Sequence, residues 1–349
     1  MAVYDFRSDT VTLPTPAMMA AIAAAPLGDA ARGDDPTVNE LERLGAEIAG
    51  KEEALFLPSG VMANLAALIG HGVRGREVIV EADAHIYNSE GGGISIVAGA
   101  VPRLVPGTYG VMDPQAVQRA IRGTADTALA PTGLVCLENT HNASGGSVIP
   151  LADMAAIRAV ADEAGLPIHL DGARLFNAAT FLEVPAAEIC RHVDSVAFAV
   201  CKGLGGPIGS VLAGDAAFMA EARRAARMLG GGMRQAGLIA APAIVALHDP
   251  YSVHRRDHAL ARRLAVGLAA VDASLVETDR VQTNIVNCFV DRFADDAAEI
   301  NRALRQKGVL ANHKRTKIRF VTHYQVDEAA VDAAIAAVTD IVGELRKAA

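Results

Sequence analysis

Short apolar runs that end in polar residues recur through the N-terminal part of the chain, and longer amphipathic stretches separate them. The stretch "PLADMAAIRAVADEAG" predicts a helix, because it begins at a proline and ends at a glycine. Strands and helices in alternation predict an α/β domain with a mostly parallel sheet. We interpret five of the apolar runs as strands, at residues 53–60, 76–85, 132–141, 166–174 and 193–203.

A different pattern begins after about residue 215. Two helices are predicted around the break "GGGMRQAG", and "YSVHRRDHALARRLAVGLAAV" predicts a long helix with a basic face. Two strands, "TNIVNCFVD" and "KIRFVTH", a helix at about 294–307 and a terminal helix then predict a small α+β domain. Since 349 residues suffice for two domains, we divide the chain into a large domain, 1–250, and a small C-terminal domain, 251–349.

Composition and charge argue against several classes of protein. A formal net charge of −8 gives no sign of a surface for nucleic acid. No apolar run approaches the roughly 20 residues that cross a bilayer, and the opening "MAVYDFRSDTV" lacks the apolar core of a secretory signal. The four cysteines form no CxxC pair and are expected to be thiols. The sequence therefore predicts a cytoplasmic protein without nucleic-acid or membrane partners.

Each predicted strand ends in polar residues. In open α/β sheets, ligands bind outside the carboxyl ends of the strands. We therefore expect one crevice to gather the polar residues at these ends, which are Ser59, Gly60, His85, Glu138 to His141, Asp171, Arg174 and Lys202.

Asp171 and Lys202 lie about one βαβ unit apart along the chain. An acid and a lysine at neighbouring strand ends fit a structural ion pair. They fit equally the two anchors of pyridoxal phosphate (PLP), because that cofactor needs an amine to bind covalently and a carboxylate against its ring nitrogen. The helix that "PSGVMAN" opens would offer its N-terminus to the phosphate. From these residues alone, both alternatives stay open.

Other motif matches are weaker. The segment "GLGGPIG" would suit nucleotide binding, but its glycine spacing and Pro207 match a dinucleotide turn only loosely. It does not match a P-loop, because Lys202 precedes the glycines. His254 and His258 lie four positions apart without the HExxH pattern of a zinc helix, so no metal site is predicted.

Nine segments, in order, resemble the threonine aldolases, which are fold-type I PLP enzymes of the β-eliminating lyase group. The resemblance extends from about residue 5 to beyond residue 320 and implies an aminotransferase-like large domain. The segments are "DFRSDTVTLPTPAM", "DPTVNELE", "ALFLPSG", "EADAHIY", "LENTHN", "HLDGARLFNAA", "CKGLGGPIGSVLAG", "GGGMRQAG" and "IRFVTH".

This resemblance implies a role for each residue that would hold the cofactor. Lys202 would bind it covalently, Asp171 would pair with the ring nitrogen, and His85 would stack on the ring. A group of four residues would bind the phosphate, with the arginine supplied by a neighbouring subunit: Ser59, Gly60, Val61 and Arg234.

The resemblance also implies residues that contact the substrate. Ser8, Arg174 and Arg319 would hold the substrate carboxylate, and Arg174 would belong to the cofactor site as well. Arginine suits this task, because its planar fork binds a carboxylate at two points. His141 would contact the β-hydroxyl group together with His85, so that Lys202, His85, His141 and Asp171 form the catalytic set.

The activity implied is cleavage of L-threonine, L-allo-threonine or a related β-hydroxy-α-amino acid to glycine and an aldehyde. A homotetramer or homodimer with sites shared across subunits is expected. Three alternatives stay open: β-elimination or dehydration of a β-substituted amino acid, a phenylserine-type aldolase, and a catalytically silent relative. Val61, Arg32 and Ser89 depart from the family pattern, which has threonine, tyrosine and an aromatic residue there, so a bulkier or more polar β-substituent is an option.

Overall fold

The structure is a computed structural model that describes residues 2–348. The strands are β1 Tyr4–Asp5, β2 Glu53–Leu57, β3 Glu77–Glu81, β4 Val101–Val105, β5 Gly107–Thr108, β6 Val111–Met112, β7 Thr132–Glu138, β8 Ile168–Asp171, β9 Ser195–Ala199, β10 Ser210–Gly214, β11 Ile285–Phe289, β12 Val309–Leu310, β13 Asn312–Lys314 and β14 Lys317–Val321. Each of the five predicted strand runs contains a strand, at β2, β3, β7, β8 and β9.

Helices pack between and around these strands. Many begin at a side chain that accepts hydrogen bonds from the first turn, as Asp35 does from the backbone N–H groups of Thr37 and Val38. The helices are α1 Pro16–Ala24, α2 Pro36–Ala49, α3 Gly60–Gly70, α4 His85–Asn88, α5 Gly93–Ile96, α6 Pro114–Ala120, α7 Leu151–Glu163, α8 Leu175–Leu182, α9 Ala186–Cys190, α10 Ala216–Met228, α11 Gly237–Leu247, α12 Pro250–Val271, α13 Ala297–Gln306 and α14 Glu328–Ala348.

A seven-stranded sheet organises the larger part of the fold, in the order β2-β10-β9-β8-β7-β3-β4. Strand β10 runs antiparallel to both of its neighbours, and the other pairs are parallel. Every residue of β7 and β9 is buried, because helices cover both faces of the sheet. The predicted mostly parallel sheet is therefore confirmed.

A smaller antiparallel sheet, in the order β11-β14-β13, follows in the C-terminal part. Helices α12, α13 and α14 share a second apolar core with this sheet, and Phe6 and Phe320 meet edge to face within it. The expected small α+β unit is confirmed. Strand β1 pairs in parallel with β12, so the N-terminal segment joins this second core. The boundary at residue 250 stays a prediction.

The parallel strands bring their carboxyl ends to one edge of the large sheet. Glu138 and Asp171 are register partners at the ends of β7 and β8, and Asp171 pairs in turn with Ala197 of β9. Lys202 follows β9 by a few residues. This edge faces β14 and the N-terminal segment, which close it from the other side. Over residues 2–348, no helix combines the length and apolarity that a bilayer crossing requires.

Candidate active site

A cavity of about 160 Å³ lies at the carboxyl edge of the large sheet. Six of the predicted site residues line it together: Ser8, His85, Asp171, Arg174, Lys202 and Arg319. These residues come from the N-terminal segment, from the ends of three elements of the large sheet, and from β14. Of the residues expected to converge from the strand ends, the structure brings these into the wall: His85, Glu138, Thr140, Asp171, Arg174 and Lys202.

Lys202 reaches the cavity from a tight turn after β9. Its carbonyl oxygen accepts hydrogen bonds from Thr12 Oγ1, at 3.0 Å, and from the N–H of Gly205, at 2.9 Å. Gly205 has a φ of 78°, and a Cβ on Gly206 would lie 2.6 Å from the carbonyl oxygen of Val200. Only glycine fits both conditions, because one needs a left-handed backbone and the other a close approach. The glycines after Lys202 thus shape a turn that aims its side chain into the cavity.

Lys202 is partly buried, and no acid of the described chain forms an ion pair with its amine. Burial lowers its pKa and the nearby Arg174 guanidinium lowers the pKa further, while the more distant charges of Asp9 and Asp171 oppose this shift. In the part of the chain that the structure describes, no carboxylate lies within 4.0 Å of Nζ, so Lys202 and Asp171 do not form the structural ion pair. A lowered pKa favours the neutral amine, which is the nucleophilic form.

Asp171 ends β8 with its carboxylate almost fully buried. Oδ2 accepts a hydrogen bond from Asn64 Nδ2, at 3.0 Å, and Oδ1 accepts one from the N–H of Ala173, also at 3.0 Å. These two donors fix the orientation of the carboxylate at the floor of the cavity.

Asn64 also connects Asp171 to a buried polar chain beneath the cavity. Its Oδ1 lies 3.2 Å from His169 Nε2, and His169 Nδ1 lies 2.9 Å from Ser195 Oγ. Because Oδ1 can only accept, Nε2 of His169 carries the hydrogen and the Ser195 hydroxyl donates to Nδ1. Burial lowers the pKa of His169 to about 3, so the ring stays neutral, as the chain requires. His169 therefore acts as a core residue that supports Asp171 from below.

Glu90 is a buried partner of His85. Nδ1 of His85 lies 3.0 Å from Glu90 Oε1, which also accepts from Asn64 Nδ2 at 2.8 Å. The hydrogen bond to Glu90 raises the pKa of His85, while burial opposes it. A ring nitrogen of His85 and one carboxylate oxygen each from Glu90 and Asp171 all lie within 4.8 Å of one another. The Asn64 amide hydrogens already point at both carboxylates, so this cluster is a hydrogen-bonded network.

Arg174 is anchored by a buried carboxylate of the N-terminal segment. Its Nε and Nη2 each donate to one oxygen of Asp9 at 2.7 Å, and Asn284 Nδ2 donates to Asp9 Oδ2 at 3.2 Å. Burial alone would raise the pKa of Asp9, but the Arg174 guanidinium outweighs it and holds the pKa well below its usual range. The pair therefore stabilises the fold at neutral pH, and this contribution is lost as the pH falls into the acid range.

Two guanidinium groups meet at one side of the cavity. Arg174 Nη1 and Arg319 Nη1 each donate to Asn142 Oδ1 at 3.1 Å. Nε of Arg319 is buried without a hydrogen-bond partner. Both arginines therefore have donors directed at the same point, where a carboxylate would bind in place of the amide oxygen.

The structure does not place His141 in the wall of this cavity. Its side chain is almost fully buried, with Nε2 3.0 Å from Glu81 Oε2 and Nδ1 2.8 Å from Ser144 Oγ. The chain bends back after β7, and a bridge between His141 and Ser147 turns the ring toward β3. The bend directs the ring to Glu81, and the contact with the β-hydroxyl group stays a prediction.

Four further predicted residues also lie outside the cavity wall. Ser59 Oγ accepts from the N–H of Met62 at 3.2 Å and so caps α3, and Gly60 and Val61 form the first turn of that helix. Arg234 is exposed and pairs with Asp29 at 3.1 Å. The helix N-terminus and Arg234 do not line the space that holds Lys202, and their roles stay predictions.

Several residues of the site are missing from the sequence interpretation. Nothing in residue type alone distinguishes them from ordinary polar residues of a turn or helix. They are Asp9 in "RSDT", Asn64 one helical turn after "PSG", Glu90 in the segment after His85, Asn142 in "ENTHN", and Ser210 at the start of β10.

Comparison with known proteins identifies the family. The model of the beta-eliminating lyase family matches residues 5–291. The chain is 40% identical over 331 residues to low-specificity L-threonine aldolase 1 of Arabidopsis thaliana, covering 93% of this chain and 92% of the relative. It is 39% identical over 323 residues to the low-specificity L-threonine aldolase of Escherichia coli K12, covering 92% and 94%. The chain belongs to the threonine aldolase family.

A solved structure places this threonine aldolase family member in the expected fold. Leishmania major threonine aldolase superposes with a TM-score of 0.82 at 21% identity, covering 97% of this chain and 99% of the other. At that identity the likeness shows the fold alone, and it confirms the predicted fold-type I architecture. The family is PLP-dependent and its members are aldehyde-lyases, so the cofactor and enzyme class expected from the resemblance are confirmed.

Proposed function

We propose that this protein is a PLP-dependent aldolase that cleaves L-threonine, L-allo-threonine or a related β-hydroxy-α-amino acid to glycine and an aldehyde. The observation that carries the proposal is the cavity itself. A desolvated lysine amine, a fixed buried carboxylate and two convergent guanidinium groups surround one space large enough for a small amino acid.

The residues present fit PLP. Lys202 supplies the amine that binds the cofactor, and Asp171 supplies the carboxylate for the ring nitrogen. For the phosphate, the N-terminus of α3 offers free N–H groups at Gly60 and Val61. The buried Ser210 hydroxyl, which has no hydrogen-bond partner, lies 3.5 Å from where a Cβ on Gly60 would stand. An unpaired hydroxyl beside the N–H groups that the Ser59 cap leaves free is an arrangement that an anion would complete.

The chain's own residues then perform distinct tasks. Arg174 and Arg319 bind the substrate carboxylate and orient the Cα–Cβ bond. His85, held through Nδ1 by Glu90, has Nε2 left to take the proton of the β-hydroxyl group as general base. PLP, when bound, supplies an electron sink for the electrons of the broken bond. Lys202 moves a proton at Cα, so that glycine is released.

The test is a retro-aldol assay on the four threonine stereoisomers and phenylserine, with glycine and aldehyde as the measured products. We expect both products from at least one L isomer of threonine. Pyruvate or another keto acid with ammonia would instead identify β-elimination or dehydration. A rate with phenylserine far above that with threonine would identify the phenylserine-type alternative.

Replacing Arg319 with alanine is expected to raise KM for the amino acid by roughly ten- to hundredfold, which is the typical effect of losing a charge-assisted hydrogen bond. The value of kcat should change much less, because Arg319 binds the carboxylate, which does not react. Steady-state kinetics with threonine measures both constants. Arg302→Ala, at an exposed position of α13, is the matched control. An unchanged KM in Arg319→Ala would remove Arg319 from the substrate site.

Replacing Glu90 with glutamine is expected to shift the acid limb of the kcat/KM pH profile to lower pH. The Glu90 carboxylate raises the pKa of His85, so the imidazole of the native enzyme stays protonated to a higher pH than an ordinary histidine. A base must be unprotonated to act, and removal of the negative charge lowers the pH at which His85 loses its proton. Glu47→Gln, at an exposed position of α2, is the control. An acid limb that stays in place or moves to higher pH would show that Glu90 does not tune this base.

We also propose a homotetramer or homodimer in which Arg234 serves a neighbouring subunit. Arg234 is exposed, lies outside the cavity of its own chain, and stands with Arg32 beside Asp29. Light scattering in solution tests the assembly, and mixing Lys202→Ala with Arg234→Ala subunits tests the shared site, because only mixed assemblies would contain an intact one. A cytoplasmic location stays a prediction from the sequence.

A further inference from the structure

A second cavity of about 360 Å³ adjoins the one that holds Lys202. The two cavities share His85, Asn142 and Arg319 as walls. A substrate whose carboxylate contacts Arg319, and whose β-hydroxyl group faces His85, would extend its β-substituent into this second space. We call it the outer cavity, and its remaining walls include Asp83, Ser89, Asn312, His313, Lys314 and Lys317.

The outer cavity presents positive charge from one hairpin. Lys314 of β13 is the direct register partner of Lys317 of β14. Lys317 and Arg319 are two residues apart in β14, so their side chains share one face of the strand. Like charges placed directly opposite in an antiparallel pair destabilise it, unless an anion lies between or above them.

No carboxylate of the described chain forms an ion pair with these groups. Across residues 2–348, no carboxylate lies within 4.0 Å of Lys314, Lys317 or Arg319. The Lys317 ammonium donates only to the carbonyl oxygen of Ala143, at 3.4 Å. Burial lowers the pKa of Lys317, and the charges of Lys314 and Arg319 lower it further, while Asp83 in the cavity wall opposes them. The hairpin therefore places more positive than negative charge where the β-substituent would lie.

We propose that the outer cavity binds an anionic group on the β-substituent, so that the preferred substrates are β-hydroxy-α-amino acids with a second, side-chain carboxylate. The proposal rests on the aldolase function above and names its substrate class. The reaction stays balanced without an oxidant or reductant. The Cα–Cβ bond breaks, the β-hydroxyl group loses its proton, and Cα gains one. The products are glycine and an aldehyde that carries the second carboxylate.

The test compares two substrates of equal shape and different charge, 3-hydroxyglutamate and 3-hydroxyglutamine, in the PLP-loaded enzyme. We expect the native enzyme to prefer the acid in kcat/KM by roughly tenfold or more, as a charge-assisted contact would give. Lys317→Met should lower the acid-to-amide ratio by roughly ten- to hundredfold, and Lys314→Met by less, because Lys314 is exposed. Lys317→Arg should keep the preference. Lys307→Met, at the C-terminal end of α13 and outside the outer cavity wall, should leave the ratio as in the native enzyme.

The possible results distinguish failure of the anionic subsite from failure of the aldolase function. Glycine from threonine, with no preference for the acid, would overturn the anionic subsite and leave the aldolase function standing. Absence of glycine from every substrate would overturn the proposed function itself. Because the readout is a ratio within one protein sample, a variant that is partly unfolded still reports on the preference.

Discussion

Replacing Lys202 with alanine is expected to lower kcat by roughly four orders of magnitude or more, the scale on which enzymes lose activity when a covalent nucleophile is removed. In the proposed function the Lys202 amine would bind the cofactor covalently and move a proton at Cα, so its loss would affect two steps at once. Lys202→Arg should be as inactive, because a guanidinium keeps the charge but is not a nucleophile. Glycine release under saturating PLP and substrate measures the effect.

Two further measurements separate lost chemistry from lost folding. The thermal midpoint of Lys202→Ala should stay close to that of the native protein or rise, because the variant removes a buried amine without a carboxylate partner. Lys307→Ala, which removes a surface lysine paired with Asp340, should keep full activity. A Lys202→Ala enzyme that turns over threonine at the native rate would refute the assignment of Lys202.

Replacing Asp171 with asparagine is expected to lower kcat by about 100- to 1000-fold, the range seen when one preorganised electrostatic group is removed from an active site. An amide cannot hold a protonated ring nitrogen by charge, so the electron sink is weakened. It would also face the Asn64 amide, whose Nδ2 now donates to Asp171. Steady-state kinetics should show the lower kcat. Titration of the cofactor-free protein with PLP should show a higher Kd for the cofactor.

A second variant perturbs the same buried network. Asn64→Asp would place three carboxylates together, with Glu90 and Asp171, and should weaken PLP binding. The control is Asp340→Asn at the surface, which should change neither kcat nor PLP affinity. Native PLP affinity combined with native kcat in Asp171→Asn would show that the carboxylate does not support the ring.

Strand topology explains why part of the site could be predicted. Asp171 and Lys202 each follow an apolar run, and parallel strands bring their carboxyl ends to one edge whatever the loops do. The six cavity residues named from sequence include both. Arg319 could be named only from the resemblance, because its strand belongs to the smaller sheet and nothing local indicates that this strand faces the large one.

Contacts between distant segments explain what the sequence interpretation missed. Asn64 reaches Asp171 across 107 positions, through the rotation of α3 about its axis, which no local pattern determines. His141 follows a strand end just as Asp171 does, but the bend at Ser147 turns its ring to Glu81. An apolar run shows where a strand stops, and the direction of the next side chain depends on how the loop folds back.

The hydrogen bonds to Asp9 have a consequence for folding during synthesis of the chain. Asp9 is held by Arg174 and also by Asn284, which lies 275 positions later in the chain. At 5–20 residues per second, roughly 15 to 55 s separate the synthesis of these two residues. The surroundings of Asp9 are therefore complete only after a segment 275 positions later has been made. A chain terminated before Arg319, even one that retains Lys202, would lack one wall of the cavity, so catalytic competence requires the strand that carries Arg319.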